Sequence, residues 1–131
     1  PEYRRQRQMC IRDRNIDDNK FYEKESIVKV ITKRILNNSS FPEALTFLRK
    51  LKGPIKNTYH HLGIYCYQSE TLKKFIFLKQ SQNEIENKLE QLRALENKIK
   101  INVSLAKKSS IGIDTEEEFV AIKKIMEYKS K

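Results

Sequence analysis

Hydrophobic positions along this 131-residue chain change their period several times, and each change predicts an element. Residues 26–32 (SIVKVIT) are short and β-branched, which predicts a strand. Asn37-Asn38-Ser39-Ser40 then reads as a loop closed by Pro42. Residues 43–50 are ambiguous, because Ala44, Leu45 and Leu48 have a helical composition. Gly53-Pro54 marks a turn. The clearest strand is 59–67, where Leu62, Ile64 and Cys66 alternate with His61, Gly63, Tyr65 and Tyr67. One face is then apolar, and the other carries an imidazole, a bare backbone and two phenols.

The second half reads as mainly helical. Ser69 can cap a short helix through 78, and Ser81-Gln82-Asn83-Glu84 is a capping box, a serine oxygen and a returning glutamate satisfying orphan amides. The box opens a helix through about 97 with Ile85, Leu89, Leu92 and Leu95 (or Ala94) on one stripe. Residues 98–105 alternate again and predict a strand. A short apolar run at 111–114 leads into a second capping box, Thr115 to Glu118. It starts a last helix that aims Phe119, Ile122, Ile125 and Met126 at a core and ends among lysines, as the helix dipole favours. Strands mixed with helices argue for an α/β or α+β layer structure, with no internal repeat or low-complexity segment.

Charge changes this picture little. The net charge of +10 points by itself to a nucleic-acid partner. Residues 1–14 hold five arginines against Glu2 and Asp13, and they show no apolar period, cap or turn chemistry. The QMCIRDR string within them resembles translated adapter sequence, so 1–14 is expected to be a non-native leader and 15–131 the domain. Without the leader the charge is +7, its lysines scattered among glutamates as on a solvated surface. That argues against nucleic acid; a small basic module for RNA or another polyanion requires the leader arginines to be genuine. With Cys10 in the leader, Cys66 is the remaining cysteine, and no zinc or disulfide spacing occurs, which fits a reducing cytoplasm. No apolar run is long enough to span a bilayer.

Few residues are candidates for chemistry. Asp114 sits at a strand end just before a helix N-terminus, where ligands gather in open α/β sheets. Mg²⁺ takes one or two carboxylates and completes its shell with water and phosphate, so one aspartate here and one elsewhere would suffice; by its position alone Asp114 is more simply a cap or turn residue before the helix. His61 and Tyr65, at i and i+4 of a strand, share a face, and Gly63 between them leaves room for a ligand. Such a face offers several hydrogen-bonding groups to a polar ligand, although a core histidine with tyrosines at a sheet edge has the same spacing. His60 falls on the opposite face and has no assigned role. Glu90 and Gln91 lie at the boundary of the helical stripe, able to reach over a sheet edge or to be simply solvated. Arg93 suits a helix salt bridge or a dimer contact. Gly53, Gly63 and Gly112 are isolated, so no glycine-rich loop can cradle a triphosphate, and no Ser-His-Asp or Cys-His arrangement is evident.

Three strings recur in one order: HLGIYCY at 61–67, NKLEQLRALEN at 87–97 and IGIDT at 111–115. Together they resemble the C-terminal half of the 3-deoxy-manno-octulosonate (Kdo) cytidylyltransferases, or CMP-Kdo synthetases. EQLRALE is an uninterrupted run of that family's signature, and the resemblance extends over most of 15–131. It implies the C-terminal part of a nucleotidyltransferase-type, Rossmann-like mixed sheet with flanking helices. It also implies an enzyme that transfers CMP from CTP to Kdo, releasing pyrophosphate and supplying lipopolysaccharide biosynthesis. By the same resemblance Asp114 is the catalytic aspartate that holds Mg²⁺, and His61, Tyr65, Glu90 and Gln91 bind Kdo. Arg49 falls where the family ends its FSR stretch and would join them, although FLRKLKGPI here puts Leu48 in place of the serine; this alignment favours a strand ending near Arg49 for 43–50. GIDTEEEF departs slightly from the family's GVDTPEDL and keeps the aspartate. The family's PAR-type loop and QGDEP segment, which hold CTP and a second metal aspartate, do not occur in the sequence. The chain is therefore expected to be the sugar-binding half of a homodimeric enzyme and inactive alone. An N-acylneuraminate cytidylyltransferase is the nearest enzymatic rival, and HLGIY with EQLRALE favours Kdo over it.

Overall fold

The computed structural model describes residues 22–106, 113 and 115–130, together with the backbone of 3–5. In chain order the elements are β1 (Tyr3–Arg5), β2 (Lys29–Thr32), β3 (Ala44–Leu48), β4 (Thr58–His60), α1 (Ser69–Ile76), α2 (Gln82–Asn87), α3 (Gln91–Glu96), β5 (Lys100–Asn102) and α4 (Glu116–Lys129). The main sheet is antiparallel in the order β3–β2–β4, with Lys29 opposite Leu48 on one side and His60 on the other. β5 pairs in parallel with β1 and reaches the main sheet through an antiparallel bridge between Glu43 and Asn102. The Val103 amide extends that junction by donating to the Pro42 carbonyl at 2.9 Å. Strands and helices mixed in this way agree with the expected fold class.

The core gathers where these layers meet. Val30, Ala44, Phe47 and Tyr59 of the sheet pack with Leu89, Leu92 and Ala94 of the helical layer, Phe75 of α1, and Ile101 and Val103. Burying the Val, Leu, Ile and Phe side chains among them contributes roughly 1.5–3 kcal/mol each. Residues 44–48 resolve as a strand. The helical composition of Ala44, Leu45 and Leu48 is overridden by the pairing with β2, which buries Ala44 and Phe47 and leaves Leu45 exposed; the register shift between Ile31 and Thr32 breaks the strict two-residue alternation.

Four expectations are corrected. The strand expected over 59–67 ends at His60; one more ladder bond runs from the His61 amide to the Val28 carbonyl, and Gly63 at φ 72° then turns the chain. Leu62 is half-buried while Ile64 and Cys66 are exposed, so the expected apolar face does not form. The helix expected from 82 to 97 divides at Lys88, which adopts the left-handed conformation (φ 53°, ψ 47°) and turns Ile85 outward while Leu89 and Leu92 go inward. Ser69 is the first residue of α1, not its cap, a place taken by Gln68 without a side-chain bond. The Thr115 capping box forms as expected, yet α4 has no buried residue, and Phe119, Ile125 and Met126 are exposed.

Residues 3–5, where no pattern predicts an element, pair as β1 through main-chain groups that any sequence supplies. The other residues of 1–14, expected to be a leader, and Asp114 lie outside the described residues. No helix among the described residues is long and apolar enough to cross a membrane.

Candidate functional site

A cavity of ≈ 380 Å³ opens between the end of β4 and the start of α3. His61, Gly63 and Tyr65 line it from one segment, Glu90 and Gln91 from another, and Ser26 and Lys88 also border it. Four of the six residues expected to act on a ligand therefore come together. The geometry that joins them is not the expected one. In an extended strand i and i+4 stand about 13 Å apart, whereas His61 Nε2 lies 2.7 Å from Tyr65 Oη. The positive φ of Gly63 brings the two rings into contact. A Cβ added there would meet nothing within 4 Å, so the glycine is required by the turn and not by lack of space.

His61 is buried and stands edge-on to the Phe47 ring, centroids 5.2 Å apart. Burial, with the charge of His60 as the lesser cause, pushes its pKa down to about 3, so the imidazole is neutral at pH 7. The Gly63 amide donates to Nδ1 at 3.4 Å, which places the ring proton on Nε2, to be donated to Tyr65. His60 lines the same cavity, because strand alternation stops where β4 ends. Its pKa is also lowered, first by burial and then by Lys29. Alternation had placed it on the other face; no sequence signal marked it, or Ser26, as part of the site.

Gln91 is buried and begins α3; Glu90 precedes it, exposed, and makes no side-chain capping bond. Their position depends on Arg49, which does not itself line the cavity. Its Nε donates to the Asn87 carbonyl at 2.6 Å and Nη2 to the Lys88 carbonyl at 3.1 Å, where α2 ends and a cation is favoured. Nη1 donates to the Glu25 carbonyl at 3.1 Å. Beneath it the fully buried Lys29 ammonium donates to the carbonyls of Lys24, at 2.7 Å, and Arg49. Burial first and Arg49 second lower the Lys29 pKa to about 8. Arg93 resolves as a salt bridge: its Nε donates to Glu84 Oε2 at 2.8 Å, a second nitrogen reaches Oε1, and the guanidinium lies over the Phe75 ring.

The cavity thus offers neutral donors and acceptors with the Glu90 carboxylate and Lys88 at its border, a lining suited to a hydroxylated ligand. No group of three or more His, Cys, Asp or Glu that could hold a metal occurs among the described residues. A second cavity of ≈ 350 Å³, bordered by Tyr22, Ile55 and Thr58, contains none of the expected residues.

No family model matches the chain. Over 115 residues it is 39% identical to the 3-deoxy-manno-octulosonate cytidylyltransferase of Bartonella bacilliformis, an alignment covering 85% of this chain and 45% of that protein. The enzyme of the same name from Thermodesulfovibrio yellowstonii is 47% identical over 78 residues, covering 58% of this chain and 31% of the relative. Among solved structures, a CMP:2-keto-3-deoxy-manno-octonic acid synthetase complexed with CTP matches with a TM-score of 0.68 at 25% identity, covering 95% of this chain and 49% of that one. The chain is similar to the 3-deoxy-manno-octulosonate cytidylyltransferases over most of its own length. It spans less than half the length of these relatives. The cytidylyltransferase likeness agrees with the mixed α/β architecture, and a polyanion-binding module is not favoured.

Proposed function

We propose that this chain is the sugar-acid-binding, C-terminal part of a 3-deoxy-manno-octulosonate cytidylyltransferase. The observation that carries the reading is the convergence of His61, Tyr65, Glu90 and Gln91 on one cavity, in a chain related to that family. The whole enzyme would transfer CMP from CTP to Kdo: an anomeric hydroxyl attacks the α-phosphate and pyrophosphate leaves. Transfer of this kind depends on positioning and charge stabilisation. Here the neutral His61–Tyr65 pair and the Gln91 amide would hold sugar hydroxyls, and Glu90 would accept a hydrogen bond from one of them. Arg49 belongs to the site by holding the Glu90–Gln91 wall from behind.

Mg²⁺ is the metal this reading implies, held through the Asp114 carboxylate, a hard oxygen donor of the kind it prefers. When bound, it neutralises charge on the phosphates. The same reading makes the enzyme a cytoplasmic homodimer serving lipopolysaccharide biosynthesis. Titrating the 131-residue chain with Kdo, beside its His61→Ala variant, tests the proposal. Saturable binding that weakens at least tenfold in the variant is expected. A folded chain that binds no Kdo, or a variant that binds as well as the parent, would sink the reading.

A further inference from the structure

The turn that leads into β2 is held from three directions. The Ile27 amide donates to the Lys24 carbonyl at 3.1 Å, the buried Lys29 ammonium donates to that same carbonyl at 2.7 Å, and Arg49 Nη1 donates to the Glu25 carbonyl at 3.1 Å. Ser26 sits in the middle of this braced turn and borders the cavity shared by His61 and Gln91. Its hydroxyl is buried and has no hydrogen-bond partner. Thr58 and Thr71 share that condition, but neither borders this cavity.

Buried hydroxyls are nearly always paired, and leaving one unpaired costs stability. A turn fixed by three backbone carbonyl bonds cannot easily shift to relieve it. A hydroxyl both donates and accepts, and a change of rotamer about the Ser26 Cα–Cβ bond would carry Oγ out of its buried position without moving the turn, so a ligand hydroxyl in the cavity that Ser26 borders can complete it in either sense. An unpaired group on a pre-organised wall is where a site gains specificity for a ligand that carries the matching polar group. Arg49 links the two walls: one guanidinium holds the Ser26 turn through Glu25 and the entry to α3 through Asn87 and Lys88.

We propose that Ser26 is a further ligand-contacting residue, its hydroxyl exchanging a hydrogen bond with a hydroxyl of the bound sugar acid. This rests on the reading of the cavity as a sugar-acid site, and it assigns a residue that none of the three motif strings contains. The test is Ser26→Ala in the 131-residue chain, with Kdo as the probe and two readouts, affinity and melting temperature. The expected pair is affinity reduced about fivefold, the usual worth of one neutral hydrogen bond, with melting temperature unchanged or raised. A structural hydroxyl would behave oppositely, so a lowered melting temperature or a variant that fails to fold overturns the assignment. Parent-like affinity in the variant overturns it as well, while leaving the cavity reading intact if His61→Ala still weakens binding. A folded parent chain that binds no Kdo removes the cavity reading and this assignment together.

Discussion

Helices α2 and α4 begin with the same device. In α2 the Glu84 amide donates to Ser81 Oγ at 3.1 Å and the Ser81 amide donates back to the Glu84 carboxylate at 3.3 Å. In α4, Thr115 and Glu118 make the same two bonds at 3.2 and 3.1 Å. Their surroundings then diverge. Glu84 is buried and gripped by Arg93, which stacks on Phe75, and the chain beyond α2 drives Leu89 and Leu92 into the core. Nothing on α4 is buried, although its apolar stripe is as legible in the sequence. A capping box fixes where a helix starts, a local matter of four residues. Whether the helix packs depends on a complementary surface, which no local pattern specifies.

Mutations that separate these two surroundings should differ widely in cost. Arg93→Ala leaves the Glu84 carboxylate buried without its cation, and a loss of about 3–5 kcal/mol is expected in urea unfolding. A loss below about 1 kcal/mol would mean that the pair is no more than a surface bridge.

Acid should act mainly at the cavity end. His61 has a folded pKa of about 3 against an ordinary 6.5, so between these values the unfolded chain binds more protons and stability rises with pH. Stability is therefore lost as pH falls from about 6.5 toward 3. Glu84, whose carboxyl is held below its usual range chiefly by the Arg93 hydrogen bond, adds a loss below its ordinary value of 4.5. Melting temperatures should fall steadily from pH 7 to pH 4, and His61→Gln should flatten the upper part of that slope. A slope unchanged by the variant would show that the imidazole is not held neutral.

The smallest effect belongs to α4. Phe119→Ser should change global stability by no more than about 0.5 kcal/mol, as at an exposed site. A loss above about 2 kcal/mol in the same urea experiment would show that α4 is packed in solution.

What the sequence made legible follows the same division. The Asn-Ser loop and both capping boxes are local in cause and stand where the pattern places them; the strand expected over 26–32 forms only over 29–32, because 24–27 are held as a turn. The break at Lys88 was not legible: it has no glycine or proline, and it is held from 39 residues away by Arg49. The early end of β4 was hidden because alternation continues past Gly63 on paper while the positive φ turns the chain. Four of the expected site residues meet in one cavity because short strings, 61–65 and 90–91, carry them onto fixed ends of β4 and α3. Ser26 escaped because its significance is a missing partner, which only packing reveals.

The central claim is that this cavity receives a sugar acid. The most direct measurement is an amide chemical-shift map of the isotopically labelled chain titrated with Kdo. Saturable shifts concentrated at residues 26, 60–65 and 88–91 are predicted. Shifts confined to residues 54–59 around the second cavity, or none at saturating ligand, would contradict it.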